Sequence, residues 1–386
     1  MNKFKITFLS FFLVIGFGKS VLAQGEAAVP FLLIAPDSRG GGIGESGAGL
    51  ADNSSAVFWN PAGIAFLSGQ EFSFTHSNWL PQFKLDLFYD YATYRNYIED
   101  INGSVTASIT YMNYGEFVRT GPDSPDPLGT FRSFDMAATV GYATKLSQDW
   151  GLGVNLRLIH SRLSDQPTGQ EQGTGTATSV SFDLGFMWRP TSLVLPFVDY
   201  DLGNKFSVGL NLSNLGPKIS YIDRAQADPI PTQFRLGIAY RILSDEYNSL
   251  TYTLDFTKLL VRRYADGTSD DFYKAVFTAW GDKPIGEELA DVVTSMGLEY
   301  WYGTPGDFLF ALRSGFFYED PNYGNRKFIT LGAGIRYDIY GFDFSYISTS
   351  VFKDGENHPL SDTLRFTILV GWGGLADQGK GLPRGL

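Results

Sequence analysis

The chain has 386 residues and no cysteine, and its 30 Lys and Arg against 41 Asp and Glu give a formal net charge of −11. Without thiols there are no disulfides, thiolate metal sites or cysteine nucleophiles, and the acidic balance argues against a nucleic-acid partner. Charged residues are 18% and aromatic residues 16%, against roughly 25% charged in soluble domains.

Met1–Ala23 reads as a secretory signal peptide. Lys3 and Lys5 form the basic start, Ile6 to Phe17 the apolar stretch, and Val21-Leu22-Ala23 the approach to a cut. The apolar run is shorter than the ~20 residues of a spanning helix. No later segment reaches 18 apolar residues, which leaves a soluble β protein or an outer-membrane barrel. The three histidines, His76, His160 and His358, stand far apart in sequence and make a His-rich metal site a poor expectation.

Residues 24–69 do not fit the barrel, although the apolar run Phe31–Ala35 could be a strand, and are expected to form a tightly turning or flexible N-terminal hatch. Gly42-Ile43-Gly44-Glu45-Ser46-Gly47 matches G-x-G-x-x-G. That fingerprint needs a parallel βαβ unit around it, and the rest of the chain reads as antiparallel β, so no dinucleotide is expected.

From residue 70 the side chains alternate with the strand period. Val105, Ala107, Ile109 and Tyr111 share one face, and Ser104, Thr106, Ser108 and Thr110 the other. The template gives fourteen candidate strands: 71–78, 85–94, 104–114, 133–146, 150–163, 179–189, 204–213, 232–243, 250–258, 295–303, 307–318, 327–339, 341–351 and 362–372. Most match the ~9–11 residues of a tilted membrane strand, and the count is even, as in single-chain bacterial barrels. Long connections (79–84, 115–132, 164–178, 214–231, 259–294, 319–326, 352–361) largely alternate with short ones, as external loops alternate with periplasmic turns; 190–203 is the chief exception. Loop 115–132 carries Pro122, Pro125 and Pro127, which predicts a stiff loop. Loop 259–294 holds two helix-like stretches, Asp270–Trp280 and Gly286–Val293.

The polar row is rich in Arg, Asp and Gly: Arg157, Asp183, Arg189, Arg235, Arg241, Asp255, Arg313, Asp343 and Arg365, interleaved with Gly153, Gly185, Gly237 and Gly315. This suits a confined lumen better than a solvated surface. Trp150, Trp188, Trp301 and Trp372 fall at or near strand ends, where an interfacial aromatic girdle would place them. The predicted architecture is an all-β transmembrane antiparallel barrel of about 14 strands over 70–372, with the hatch at 24–69 and a periplasmic tail at 373–386.

Just before the first strand stands Asp52-x-Ser54-x-x-x-x-x-Asn60-Pro61-Ala62-Gly63, which resembles the hatch of FadL-type outer-membrane barrels. Together with Ala35-Pro36-Asp37-Ser38-Arg39-Gly40-Gly41-Gly42 and His76-Ser77-Asn78-Trp79-Leu80-Pro81, it resembles the PorV (LptO) family of the type IX secretion system of Bacteroidetes. The resemblance covers essentially the whole mature chain. It implies a non-enzymatic outer-membrane carrier. Such a carrier meets cargo at a giant translocon β-barrel, holds the cargo's C-terminal signal domain, and passes it to an attachment complex containing a sortase. Outer-membrane lipid is the other implied partner; no nucleic acid and no cofactor are. Asp52, Ser54, Asn60, Pro61 and Gly63 are then hatch residues, and Asn60, which precedes a proline, is biased to extended backbone. Trp79, Leu80 and Pro81, and Phe272, Val276 and Trp280 at helical spacing in loop 259–294, are candidate partner or cargo contacts.

Two other readings stay open. One is a FadL-like transporter of hydrophobic small molecules, against which the Arg-rich lumen argues. The other is a lipopolysaccharide deacylation factor. No Gly-x-Ser-x-Gly precedes a helix, and Ser77 beside His76 points to the opposite face of a strand, so no catalytic or metal-binding residue is assigned.

Overall fold

The computed structural model describes residues 27–120, 126–164, 175–196, 200–221, 223, 226–304, 307–352 and 358–373. The expected signal peptide, Met1–Ala23, and the expected tail beyond Gly373 lie outside them.

Fourteen of the described strands close a barrel in which neighbours are antiparallel throughout. In chain order they are β1 Gln70–Asn78, β2 Phe88–Ile98, β3 Gly103–Thr120, β4 Pro127–Lys145, β5 Trp150–Arg162 and β6 Thr176–Trp188. After a small pair, β7 Val194–Leu195 and β8 Tyr200–Asp201, come β9 Phe206–Leu215, β10 Gln233–Ser244, β11 Asn248–Leu259, β12 Val293–Tyr302, β13 Leu309–Tyr318, β14 Lys327–Tyr337, β15 Tyr340–Ser348 and β16 Leu364–Trp372. β1 pairs with β16 and closes the ring. β7 and β8 form their own hairpin within the long exception at 190–203. Among the described residues no helix is long and apolar enough to cross a membrane; this chain crosses with strands.

The burial pattern is inverted relative to a soluble sheet. On β3 the Ser and Thr of the polar row are buried, while Ile109 of the apolar row is exposed. The outer wall shows Leu156, Leu158, Val180, Phe182, Leu298, Leu312, Phe366 and Ile368. A wall that presents aliphatic and aromatic side chains outward and buries hydroxyls is stable only in lipid.

Aromatic rings mark both edges of this band. At the periplasmic ends Trp150 stacks on Trp188 at 6.0 Å, Trp188 meets Phe206, and Tyr94 meets Trp372. Near the external ends an outward row runs His76, Phe88, Tyr111, Phe134, His160 across β1 to β5, with successive centroids 5.6–6.0 Å apart. Trp301 departs from the expected girdle. It shares the inward parity of Glu299, is 2% exposed, and lies between the guanidinium groups of Arg313 and Arg336 at 5.2 and 5.1 Å.

The expected loop 115–132 is also different. Its described residues are mostly strand, because β3 and β4 continue past the membrane band as one long hairpin. A register shift at Asn113/Gly115, with Gly115 at φ +87°, bends the ladder without ending it. Pro127 opens β4, a position where no ladder donor is lost; Pro122 and Pro125 lie outside the described residues.

A hatch locked to the lumen wall

Residues 27–69 lie inside the barrel. The chain starts near the external mouth, where Ala28 N–H donates to Pro229 O at 2.9 Å. Val29, Phe31 and Leu32 pack there with Tyr89, Tyr91, Met112, Ile159, Ile219 and Ile230. It ends at the periplasmic side, where β1 begins.

In between, the hatch bonds to strands all round the wall. Asp37 caps the short helix α1 (Ser38–Gly42) by accepting from Gly40 N–H, and it accepts a second bond, of 2.7 Å, from the Trp59 indole. Ser38 N–H donates to Thr367 on β16 and Gly44 N–H to Thr330 on β14. Ala48 N–H donates to Asp255 on β11, and Ser207 on β9 donates to Gly49 O. Gly44 sits at φ +73°, where a side chain would be strained, and turns the chain off α1.

The lumen glycines explain how backbone meets backbone here. Gly209 and Gly237 face each other across β9 and β10, and Gly297 and Gly315 across β12 and β13. A Cβ at Gly209 would stand 2.0 Å from Ala48 O, and one at Gly315 would stand 2.0 Å from Gly44 N. The wall is bare where the hatch passes.

Charge completes the seat. Arg39 reaches Glu299 on β12 through two bonds of 2.7 Å and also pairs with Asp52 in the hatch. Glu299 accepts from Arg313 at 2.7 Å, Arg313 donates to Asp343 at 2.8 Å, and Asp343 pairs with Arg336 at 2.6 Å. Arg157 and Asp183 form a second buried pair on β5 and β6. Each of these ions is buried, so each needs its partner. Two cavities in this packing, one against Tyr89, Tyr91 and Arg157 and one against Arg39, Asp52 and Trp59, hold about 10 Å³ each, room for a single water.

The five hatch residues from the sequence all sit in this seat. Asp52 binds Arg39. Ser54 donates its N–H to Glu71 on β1 and shares hydrogen bonds with Ser73 and Thr93. Asn60 ends the short helix α2 (Ala56–Trp59) with extended backbone (φ −165°); its Oδ1 accepts from Ala62 N–H and its Nδ2 donates to Phe186 O at 2.9 Å. Pro61 opens the turn Pro61–Phe66 and lies against Gly153 and Gly185. Gly63 passes so close to Ala51 that a Cβ would stand 2.0 Å from its carbonyl oxygen. Arg39 lies in the Ala35–Gly42 segment that carries the resemblance but is not among the five predicted hatch residues, and its partner Glu299 carries no motif.

The other candidates sit elsewhere. Trp79 and Leu80 follow β1 at the external mouth and pack half-buried on Phe317, Phe328, Ile347 and Leu360; Pro81 starts a short turn beyond them. Burial pushes the nearby Tyr221 phenol up to about 12, and its hydroxyl donates to Ser161 at 2.8 Å. Phe272 and Val276 are on a short helix outside the barrel, and Trp280 follows its end. Phe272 packs edge-on to Phe182 and Trp280 edge-on to Phe234. His76 pairs with Asp90 on the outward face, and His160 with Thr178. Among the described residues no group of three His, Asp or Glu side chains is arranged to hold a metal.

Above the mouth, the β3–β4 hairpin opens an apolar cavity of about 320 Å³ against Tyr114, Phe117, Phe131, Ser133 and Leu163. Phe117 and Phe131 stack at 5.7 Å, and the Tyr114 hydroxyl donates to Asp135 at 2.7 Å.

The architecture is similar to solved hydrocarbon-transport barrels. A TodX mutant monoaromatic hydrocarbon channel is 11% identical, with 87% of this chain and 97% of that chain covered, at a TM-score of 0.51. The toluene transporter TbuX of Ralstonia pickettii is 11% identical over 88% of this chain and 98% of that one, at 0.48. A FadL homologue of Pseudomonas aeruginosa is 12% identical over 87% and 98%, at 0.46. At these identities the likeness is one of fold. Among curated proteins none matches the sequence. The model of the type IX secretion system protein PorV matches residues 22–266, well over half the chain. With its outer-membrane barrel and internal hatch, this chain belongs to the PorV family of type IX secretion system proteins.

Proposed function

We propose that the protein is a non-enzymatic outer-membrane carrier. It receives secreted proteins at the giant translocon barrel of the type IX system, holds their C-terminal signal domain, and delivers them to the sortase-containing attachment complex. The family assignment supports work in type IX secretion. The observation that favours cargo over small molecules is the contrast between lumen and rim. The lumen is filled by a hatch held with buried ion pairs, whereas the external hairpin offers an open apolar cavity with stacked Phe117 and Phe131. An apolar side chain of an emerging domain fits that cavity by size and chemistry.

The test is a pull-down of the tagged protein from detergent-solubilised outer membranes, with mass spectrometry, for the parent chain and for F117S/F131S. Recovery of a very large barrel protein and of secreted proteins still carrying their C-terminal domains is expected from the parent. The double variant should keep the barrel partner and lose the cargo. Recovery of this chain alone with retained lipid would overturn the carrier reading and favour transport of hydrophobic molecules.

A further inference from the structure

The 260–292 connection forms two short helices, α3 (Phe272–Thr278) and α4 (Ile285–Ala290), beyond the residues matched by the family model. They do not crown the barrel. They lie against its outer wall, and their depth can be read from the strands.

Phe272 of α3 packs on Phe182, centroids 6.1 Å apart. Phe182 pairs with Leu156 on β5. On that strand Trp150, of the periplasmic aromatic row, lies six residues below Leu156, and His160, of the external row, four above. At about 3.3 Å per residue and a tilt of about 40°, the stretch from Trp150 to His160 climbs about 25 Å, the height of the apolar band in such barrels. Phe182 is therefore inside the band, above its middle, and the start of α3 is beside it.

The wall under α4 carries a cation on its lipid-facing row. Lys258 has the parity of Leu254 and Phe256 and pairs across to Phe234. Its side chain is nevertheless 2% exposed, because Glu288 and Asp291 close over it at 2.8 and 2.7 Å. Trp280 covers Phe234 at 5.2 Å. The inner face of the insert thus matches the wall in shape and charge. Its outer face is mainly apolar: Tyr273 is 55% exposed, Phe277 78%, Ile285 77% and Leu289 68%, and the exposed Glu287 among them accepts from the Tyr323 hydroxyl at 3.2 Å. Tyr273 and Phe277, and Ile285 and Leu289, are four residues apart and share a helix face. Lys274 is exposed beside them, and a lysine stem can carry its ammonium to the headgroups.

We infer that α3 and α4 form a shelf immersed in the outer leaflet, with Tyr273, Phe277, Ile285 and Leu289 in contact with lipid acyl chains. The inference is independent of the cargo reading. The face continues the lipid-facing surface of β6, β9 and β10, from the depth of Phe182 at the start of α3 to the external end of β11 at Lys258 under α4, and that continuity selects lipid over a water-borne partner.

The chain lacks cysteine, so F277C, I285C and L289C each accept one nitroxide label in the full-length protein. Each labelled protein is reconstituted in phosphatidylcholine–phosphatidylglycerol vesicles and compared with L158C on the lipid-facing wall and D266C in the exposed loop. Power saturation measures access to oxygen and to a water-soluble nickel chelate. Labels at 277, 285 and 289 should follow L158C, with oxygen access several-fold above nickel access, while D266C shows the reverse. Nickel access at 277 and 289 equal to that at 266 would overturn the inference. Protection of these labels from both reagents would overturn it too, in favour of a protein covering this face within the membrane.

Discussion

The Arg39 guanidinium meets the Glu299 carboxylate through two hydrogen bonds of 2.7 Å, joining the hatch to β12 across 260 residues of sequence. Both side chains are buried, and Arg39 also carries Asp52. Removing one partner of a buried pair costs about 3–5 kcal/mol. Arg39→Met should therefore release the hatch: amides from Ser38 to Asp52 should exchange hydrogen at least a hundred-fold faster, while the strand amides of β12 to β14 change little. Arg39→Lys keeps the charge but loses the planar fork, and should fall between. Parent-like exchange in Arg39→Met would show that the glycine-lined contacts suffice.

Those contacts make their own prediction. A Cβ at Gly315 would stand 2.0 Å from the Gly44 nitrogen; the nitrogen is backbone and a Cβ is fixed by its own backbone, so neither can swing away. Gly315→Val should leave the β12–β13–β14 ladder able to form but push the hatch off the wall. Gly281→Val, in open space with nothing within 4 Å, is the control. Limited proteolysis of detergent-solubilised protein should cut within residues 38–62 in Gly315→Val and spare them in Gly281→Val.

The barrel was legible because its signal is local. Period-two alternation found all fourteen strands, most within a few residues at each end. β2 sits about three residues later than its pattern suggested, and the β3–β4 hairpin hides its length behind Gly115 and the prolines, residues that usually announce a turn. Trp301 was misread by position in the strand, although its parity with Glu299 already placed it inside. The hatch motif located Asp52, Ser54, Asn60, Pro61 and Gly63 but not their partners. Arg39 and Glu299, or Ala48 and Gly209, meet only after the wall has closed, and no spacing within either segment encodes that meeting. Lys258 had a readable signal that was missed: a lysine on the lipid-facing parity of β11 needs something to cover it.

His358 gives a pH-dependent prediction at the external rim. Burial lowers its pKa below the usual 6.5, and Arg326 lowers it further against the opposing pull of Glu319. Its Nδ1 accepts the Leu360 N–H at 3.2 Å, which requires that nitrogen to be unprotonated. The unfolded or opened loop therefore binds the proton more tightly than the folded one. The folded arrangement is favoured fully above about pH 6.5 and loses ground as pH falls through the lowered folded pKa. Protection of the Leu360 and Ser361 amides, corrected for intrinsic exchange, should drop between pH 7.5 and 5. The drop should vanish in His358→Asn, which does not titrate there. Equal drops in both chains would assign the effect to another group.

Lys258 tests the attachment of α4 to the wall. Its ammonium has two carboxylates, Glu288 at 2.8 Å and Asp291 at 2.7 Å, and Lys283 reaches Asp291 from the other side at 2.9 Å. Lys258→Met leaves Glu288 without its cation in a largely dry contact, and the balance changes from attraction to repulsion between neighbouring acids. A loss of about 3–5 kcal/mol is the scale for such an uncompensated buried charge. It should appear as local opening of Ile285–Ala290 rather than as unfolding of the barrel, because Lys258 makes its ion pairs outside the lumen network. K258M/E288Q/D291N removes the charges together, and an apolar or neutral replacement of a whole buried cluster is often tolerated. The triple variant should therefore recover most of the amide protection in α4 that the single variant loses. If Lys258→Met alone keeps that protection, the apolar contacts of Phe272 and Trp280 hold the insert in place by themselves. If the triple variant fails to recover it, the ion cluster fixes the helix in a way that neutral side chains cannot reproduce.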